Sequence, residues 1–251
     1  MAASNFEPSF KAMIRHEGGY VDHPADPGGA TNLGVTIGTL SAWLGRKAEK
    51  SEVKALTVET VKPIYRKNYW NTIGGDGLPI GLDYCLFDVS VNSGPGKARQ
   101  FRAATAGKFA KVTDEIKAVC ARRRAFFQSL KTFKTFGKGW MRRVAEVEAL
   151  AIKMALAGST TLTPTGVNEA LKTEALGAGQ KAEAKRKQAN AAGGVSAAGG
   201  AATAAGGWDW QLIAFCGVVV LVIGFVAFMA WRAAAHERER RDAFLREVAN
   251  G

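Results

Sequence analysis

The sequence predicts a mostly helical domain with a small loop or hairpin element, followed by one transmembrane helix. Three observations predict this class. Apolar residues recur at helical spacing over most of residues 5–157. Residues 20–36, rich in Gly, Pro and Asp, interrupt that pattern early and are typical of a loop or small hairpin. A continuous apolar run follows much later, at Leu212–Trp231.

The first helix is predicted to begin at Ser4, because Ser4 and Glu7 form a capping-box pattern. Its apolar periodicity ends at Gly18-Gly19, so Glu17 is expected at the C-terminal end of a helix. Further helices are predicted over Ile37–Leu44, Val58–Tyr69, Leu82–Val91, Lys97–Thr105, Asp114–Leu130 and Trp140–Leu156.

The apolar run Leu212–Trp231 contains no charged residue over its 20 positions. A helix of that length spans about 30 Å, the thickness of the hydrocarbon core of a bilayer. Trp208, Trp210 and Trp231 bracket the run as interfacial anchors do. We therefore expect a single membrane span. Met1–Phe10 has neither the basic start nor the apolar core of a secretory signal, so cleavable export is not expected.

The net charge of +12 indicates an anionic partner. Lys97–Arg143 carries 14 basic and two acidic residues, a ratio that suits a phosphate-binding face. No recognised nucleic-acid motif accompanies it, and charge runs are usually solvated surfaces, so nucleic acid is not the expected partner. The three cysteines, Cys85, Cys120 and Cys216, lack metal-ligand spacing and imply no disulfide framework.

The stretch around Glu17 first suggests a zinc site, because His16-Glu17 begins like the HExxH signature. The second histidine of that signature is Tyr20 here, and two glycines inside the motif would break the helix that must present both ligands. His23 and His236 offer no replacement. No metal is therefore expected.

An acid-base site is the alternative, and it needs two carboxylates in contrasting surroundings. Glu17 suits the acid, since the C-terminal end of a helix disfavours an ionised carboxylate. Asp26, in a Pro/Gly-rich loop, suits the ionised partner, and Asp22 in the same loop competes with it. The residues alone also allow both aspartates to be simple turn formers.

Four motifs together resemble glycoside hydrolase family 108, the muramidases of phage lysis and some secretion systems. They are HEGGY at His16–Tyr20, DPGGATNLGVT at Asp26–Thr36, NYW at Asn68–Trp70 and FDVSVNSG at Phe87–Gly94. The resemblance covers about residues 5–95. It implies an α+β lysozyme-like fold, no cofactor, and cleavage of the β-1,4 bond between N-acetylmuramic acid and N-acetylglucosamine, with Glu17 as the catalytic acid.

The spacing of Glu17, Asp26 and Thr31 is also similar to the Glu, Asp, Thr order of phage lysozymes. That similarity implies that Asp26 and Thr31 position a water molecule. Two residues separate Thr31 from Gly34, whereas the phage pattern has one.

Substrate contacts are predicted for polar and aromatic residues near these motifs. Trp43 and the aromatic residues of the NYW motif can stack on sugar rings or pack in the core, and Asn92 can bind substrate or end a helix. The predicted contact residues are Tyr20, Asn32, Tyr69, Trp70 and Asn92.

Lys97–Ala157 resembles the predicted peptidoglycan-binding region that follows the catalytic part in the same family. The partners implied are peptidoglycan glycan strands and a lipid bilayer. The predicted organisation is a catalytic region at 1–95, a helical wall-binding region at 96–160, a charged stretch with a flexible Ala/Gly linker at 161–207, a transmembrane helix at 208–232 and an Arg/Glu-rich tail at 233–251.

The expected location is the bacterial inner membrane. Five arginines follow the span, and residues 190–211 contain no Lys or Arg. The positive-inside rule therefore places the C-terminus in the cytoplasm and the enzyme in the periplasm at the time of action. This orientation requires about 200 residues to cross the membrane without a signal peptide, whereas the opposite one moves only the short tail.

Overall fold

The computed structural model describes residues 5–23, 28–159, 161–202 and 210–250, together with their side chains outside 193–217. It confirms the mostly helical class with a minimal sheet. The helices are α1 Phe6–Ile14, α2 Ile37–Leu44, α3 Lys50–Lys54, α4 Val58–Tyr65, α5 Leu82–Ser93, α6 Pro95–Thr105, α7 Val112–Ser129, α8 Phe133–Ala157, α9 Pro164–Ala202 and α10 Trp210–Ala249, and the strands are β1 Thr31–Asn32 and β2 Val35–Thr36.

The chain divides into two compact units. The first unit contains residues 1–133 and 151–160, and the second contains residues 134–150 and 161–251. α6 and α7 pack on α5 and so share the core of the first unit. A separate wall-binding role for residues 96–160 stays a prediction.

Aromatic rings fill the core of the first unit. Phe6, Trp70 and Phe87 meet edge to face, with ring centroids 5.4–5.9 Å apart. α5 lies at the centre, since every residue from Leu82 to Ser90 is buried. Such edge-to-face contacts add stability beyond the area they bury, and they fix the helices that carry the motifs.

The helix predicted over Val58–Tyr69 changes its pitch near its end. α4 stops at Tyr65 and continues as a π-helical turn over Arg66–Trp70. A π turn inserts an extra residue and shifts the positions that follow it around the helix axis. In this turn Tyr69 is half-buried, whereas Trp70 is fully enclosed in the core.

The predicted loop or hairpin after α1 contains a two-stranded antiparallel hairpin, with Thr31 opposite Thr36. Its turn residues, Leu33 and Gly34, have φ values of 49° and 71°. Left-handed conformations at both central residues define the type I′ turn, whose twist suits paired strands. The Leu33 N–H donates to the Gly18 carbonyl at 3.0 Å, which ties the hairpin to the segment that follows α1.

The second unit is built from residues 134–150 of α8 and the long helices α9 and α10. Its buried positions on α9 and α10 are mainly alanines. The sequence predicted a flexible linker over Ala191–Gly207, but α9 is helical as far as Ala202. Alanine is the best helix former, and α9 packs extensively on α10, which accounts for the difference.

α10 contains the predicted membrane span. Among the described residues, it is the helix that is long and apolar enough to cross a membrane. Large apolar side chains such as Leu221 and Phe225 are 74% and 62% exposed. The helix continues as far as Ala249, so the predicted tail is part of α10 rather than a separate segment.

Candidate active site

Glu17 lies in the turn that follows α1. The His16 N–H donates to the Met13 carbonyl at 3.0 Å, and the Glu17 N–H donates to the Ile14 carbonyl at 3.1 Å. These bonds hold Glu17 just beyond the helix end, as the glycine break predicted. The residue is half-buried. The backbone at Glu17 is thus fixed by hydrogen bonds to the end of α1.

The Glu17 carboxyl group lies against the backbone of Gly34. A Cβ atom built at Gly34 would stand 2.7 Å from Glu17 Oε2, and closer still to the Tyr65 hydroxyl. No side chain fits there without displacing one of them. Gly34 is also exposed and left-handed, at φ 71°. The exposed turn at Gly34 therefore packs directly on the Glu17 carboxyl group, and Glu17, Gly34 and the neighbouring tyrosines are together called the notch.

Two tyrosines, Tyr65 and Tyr69, lie near Gly34 and Glu17. The Tyr65 hydroxyl donates to the Leu33 carbonyl at 2.9 Å and so holds the strained turn. The ring of Tyr69 packs on that of Tyr65, with centroids 5.4 Å apart. Burial, with a smaller contribution from the negative charge of Glu17, raises the pKa of Tyr69. Tyr69 is therefore a neutral phenol near the carboxyl group at neutral pH.

The predicted partners of Glu17 lie in different settings. Thr31 pairs through its backbone with Val21, and its hydroxyl donates to the Gly29 carbonyl at 3.1 Å. The hairpin thereby brings Thr31 to the segment that carries Glu17. Asp22 accepts a hydrogen bond from Lys50 at 3.0 Å in an exposed ion pair. Asp26 lies outside the described residues.

Two predicted substrate contacts have structural roles instead. The Asn32 amide is buried and donates to the carbonyls of Val53, Lys54 and Leu56 at the end of α3, at 3.1–3.3 Å. Trp70 is 0% exposed. Its indole N–H donates to Asp76 at 2.8 Å, so it presents no ring face to a ligand. Periodicity did not reveal either role, because both depend on contacts with other segments.

The other candidates remain accessible. Tyr20 and Trp43 are each 37% exposed, with Lys54 and Lys67 respectively near their rings. Asn92 is exposed, and its side-chain oxygen accepts from Arg123 at 3.1 Å.

Sequence reasoning missed the buried ion pair behind Asn92. Arg123 on α7 and Asp88 on α5 are both fully buried, with their charged atoms 2.6 Å apart. A charged residue inside the apolar α5 was the signal that could have revealed it. The same helix pair brings the free thiols of Cys85 and Cys120 to 3.6 Å. The neighbouring thiol and burial raise the pKa of Cys85.

Within the described part of the chain, no group of three or more His, Cys, Asp or Glu side chains is arranged to hold a metal ion. The polar groups described near Glu17 include the phenols of Tyr65 and Tyr69 and the backbone of Gly34.

Comparison with known proteins is consistent with this geometry. The family model of glycosyl hydrolase 108 matches residues 10–94. A solved structure, SagA of Brucella abortus, superposes with a TM-score of 0.55 at 42% sequence identity, covering 62% of this chain and 98% of that one. The chain belongs to the glycosyl hydrolase 108 family. No functionally curated protein gave a significant match.

The glycosyl hydrolase 108 range includes every group of the notch. Glu17, Gly34, Tyr65 and Tyr69 all fall inside residues 10–94. The protein is therefore a glycosyl hydrolase whose half-buried carboxyl group lies within the family's matched segment.

Proposed function

We propose that this glycosyl hydrolase is an N-acetylmuramidase, which cleaves the β-1,4 bond between N-acetylmuramic acid and N-acetylglucosamine in peptidoglycan. The observation that carries the proposal is the half-buried Glu17 carboxyl group packed against the exposed turn at Gly34. A glycosidic oxygen bound at this exposed edge would be within reach of an acid held by the fold.

Glu17 supplies the proton. In its protonated form it donates to the glycosidic oxygen as the bond to the anomeric carbon breaks, and the sugar acquires oxocarbenium character. Tyr65 keeps the turn in place through its bond to Leu33. Neutral Tyr69 offers a phenol near the acid without adding a second negative charge.

Asp26 is the second carboxylate of the proposed mechanism, and Thr31 orients the attacking water with it. Asp22 is the alternative candidate for this role. It is exposed and already paired with Lys50, which favours Asp26. Asp26→Asn should abolish most of the activity, and Asp22→Asn is its matched control in the same loop. Loss of activity in Asp22→Asn with normal activity in Asp26→Asn would reverse the assignment.

Substrate contacts come from exposed residues of the same unit. Tyr20 and Trp43 present aromatic faces for sugar rings, and Asn92 presents a polar side chain. The basic α6 and α7 favour binding to anionic wall polymers.

The cleaved bond tests the proposal. The full-length protein in detergent is incubated with purified peptidoglycan, and the new reducing ends are identified by reduction and mass spectrometry. Muramic acid ends are expected. Glucosamine ends or cleaved peptides would overturn the muramidase assignment. Glucosamine ends would still be the product of a glycosyl hydrolase.

α10 holds the enzyme at the bacterial inner membrane in this proposal, and the protein acts on the periplasmic wall in lysis of the phage type. The exposed apolar surface of α10 supports the anchoring. The protein should stay with membranes after alkaline carbonate extraction. Recovery in the soluble fraction would exclude membrane anchoring by α10. The proposed muramidase activity would not be affected by that result.

A further inference from the structure

A cleft with three arginines lies between α9 and α10, away from the candidate active site. This arginine cleft is lined by Gly179, Ala182, Glu183, Arg186, Arg238 and Arg241, and it encloses about 220 Å³. That volume is below the ~300–1,000 Å³ typical of pockets for drug-sized ligands. The lining carries three positive charges and one negative charge, so a small anion is the class of ligand that suits it.

Small residues of α9 form the floor of the arginine cleft. Ala182 is buried against α10. A Cβ atom built at Gly179 would stand 3.4 Å from Cδ of Arg241, so the stem of that arginine lies across the glycine. A larger side chain at either position would fill the space between the helices. The concave shape of the cleft therefore depends on these two small residues.

Two of the three arginines are available to a ligand. Arg241 donates to Asp242 from Nε and from a terminal nitrogen, at 2.9 and 2.8 Å. Arg186 and Arg238 are exposed, and within the described part of the chain their side chains make no ion pair and no hydrogen bond. Their donors are thus free to bind an anion.

The acidic residue of the lining does not neutralise these arginines. Glu183 pairs with Lys187 at 3.0 Å. Lys187 is also the main cause of the lowered pKa of Glu183, and Arg186 contributes less, through its charge alone. The positive charge of the arginine cleft is therefore largely uncompensated.

The two helices are antiparallel where they form the cleft. α9 packs extensively on α10. Gly179 lies beside Arg241, whereas Arg186, which is further along α9, shares the cleft with Arg238, which is earlier on α10. Successive positions of α9 therefore lie level with successively earlier positions of α10.

This register places the arginine cleft just beyond the apolar span. Seven residues from the contact at Gly179, it brings Arg186 level with Ala234, and the complete burial of Ala234 agrees with it. The apolar run ends at Trp231. At a rise of 1.5 Å per residue, the backbone of Arg186 lies about 5 Å beyond Trp231 and that of Arg238 about 10 Å beyond it.

The directions of the side chains bring the two guanidinium groups together at that depth. Side chains on a helix lean toward its N-terminus. On α10 this direction leads back to the span, and on the antiparallel α9 it leads away from the span, so Arg238 and Arg186 converge from opposite sides. The headgroup layer occupies roughly the first 5–8 Å outside the hydrocarbon core. The arginine cleft therefore lies at the depth of lipid headgroups.

We propose that the arginine cleft binds the phosphate group of an anionic phospholipid, at the surface of the bilayer that α10 enters. The planar guanidinium groups of Arg186 and Arg238 match phosphate oxygens with paired hydrogen bonds, and Arg241 adds positive charge at the edge. Basic pockets beside membrane helices hold anionic headgroups in this way. The proposal rests on the anchoring part of the proposed function and not on its chemistry.

Phosphate is the shared chemistry of a lipid headgroup and of free phosphate, and the position of the cleft favours the lipid. A headgroup beside the span is held near the arginines at a high effective concentration, whereas free phosphate must come from solution. A headgroup in the cleft would join α9 to α10 at the membrane surface and set the depth to which α10 enters.

Hydrogen exchange in nanodiscs tests the proposal. Full-length protein is incorporated into phosphatidylcholine discs that contain increasing mole fractions of phosphatidylglycerol. We expect phosphatidylglycerol to slow exchange in peptides that cover residues 179–186 and 238–241, because a ligand stabilises the state that binds it. Phosphatidylcholine alone should give no such protection, since its headgroup has no net charge.

Two double variants separate a specific site from general attraction. Arg186→Gln with Arg238→Gln should raise the mole fraction of phosphatidylglycerol that gives half protection by about tenfold or more, because charge-assisted hydrogen bonds are lost. Lys181→Gln with Lys185→Gln is the matched control, since it removes the same charge from exposed positions of α9 that do not line the cleft. The control should retain protection. Unchanged exchange in phosphatidylcholine discs shows that both variants fold.

Several outcomes would overturn the proposal. Equal losses of protection in the two double variants would leave only general attraction to the membrane, and a lack of protection in the natural chain would exclude the site. Protection by inorganic phosphate in phosphatidylcholine discs, with no further effect of phosphatidylglycerol, would make free phosphate the ligand. Protein that does not co-purify with the discs would overturn the anchoring and the headgroup site together. None of these readouts depends on muramidase activity.

Discussion

The two units differ in what fills their cores. Large aromatic rings such as Phe6, Trp70 and Phe87 pack in the first unit, whereas alanines such as Ala178, Ala182 and Ala234 pack in the second. An aromatic side chain buries several times the apolar area of an alanine. The first unit is thus stabilised by its own core, and the second relies more on close helix packing and ion pairs.

The difference between the two cores fits the features that each unit supports. A rigid aromatic core can support a reactive carboxyl group on a short turn with left-handed residues, because the strain is small beside the core's contribution. The exposed apolar side chains of α10 suit the proposed membrane anchor, and close contact between small residues holds α9 and α10 together. The following predictions test this contrast, from the largest expected effect to the smallest.

Glu17→Gln should lower the rate of peptidoglycan cleavage by about 10²–10⁴-fold, since the amide retains the shape of the side chain but cannot donate the acid proton. The measurement is release of reducing ends at saturating substrate. Glu7→Gln, an exposed carboxylate of α1 that pairs with Lys62 at 3.2 Å, is the control and should retain activity. A folded Glu17→Gln protein with normal turnover would exclude Glu17 as the acid.

In the described part of the chain, Arg123 pairs with buried Asp88 in the first unit and Arg240 with buried Glu148 in the second. Removal of either arginine should cost about 3–5 kcal/mol, because the carboxylate remains buried with less compensation. Arg123→Met should speed hydrogen exchange in α5 and α7, and Arg240→Met should speed it in α10 and in residues 134–150. The two effects should stay in their own units. Faster exchange throughout the chain in either variant would show that the units unfold as one.

Gly34→Ala should lower turnover by about 100-fold, a loss typical of a small displacement of a catalytic group. The added methyl group would meet Glu17 and Tyr65. Gly45→Ala is the matched control, because Gly45 is also left-handed, at φ 69°, but has open space around it. Both should lose about 1–2 kcal/mol of stability from the left-handed backbone. Equal turnover in Gly34→Ala and Gly45→Ala would show that the contact between Gly34 and Glu17 is not needed for catalysis.

Tyr69→Phe should have a small effect on the pH dependence of stability, and that effect should be confined to alkaline pH. The raised pKa of Tyr69 means that the folded state holds the phenol proton more tightly than the unfolded state does. This stabilisation is complete below the ordinary tyrosine pKa of about 10 and is lost as pH rises beyond it. Urea unfolding at pH 8 and pH 11 should show a smaller loss of stability in Tyr69→Phe than in the natural chain. Equal losses of stability in the two proteins would contradict the raised pKa of Tyr69.

Much of the local structure could be predicted from the sequence. Glu17 was expected at the end of the first helix, and the structure places it in the turn after α1. The site was harder to predict. Tyr69 and Trp70 are neighbours in one motif, yet one lines the notch and the other is buried, because adjacent helical residues point to different sides and Phe6 and Phe87 pack on the side of Trp70. Spacing within the motif does not reveal which side another segment covers.

The sequence by itself determined the helical class, the hairpin segment after the first helix, the apolar span and the motif that contains Glu17. Each of these depends on composition or spacing within one short segment, which local propensity and the hydrophobic effect decide. Only the tertiary structure decided that Gly34 adjoins Glu17, that α9 continues along α10, and that Glu148 binds Arg240. Those features join residues far apart in the chain, where steric fit and the pairing of buried charges decide the outcome.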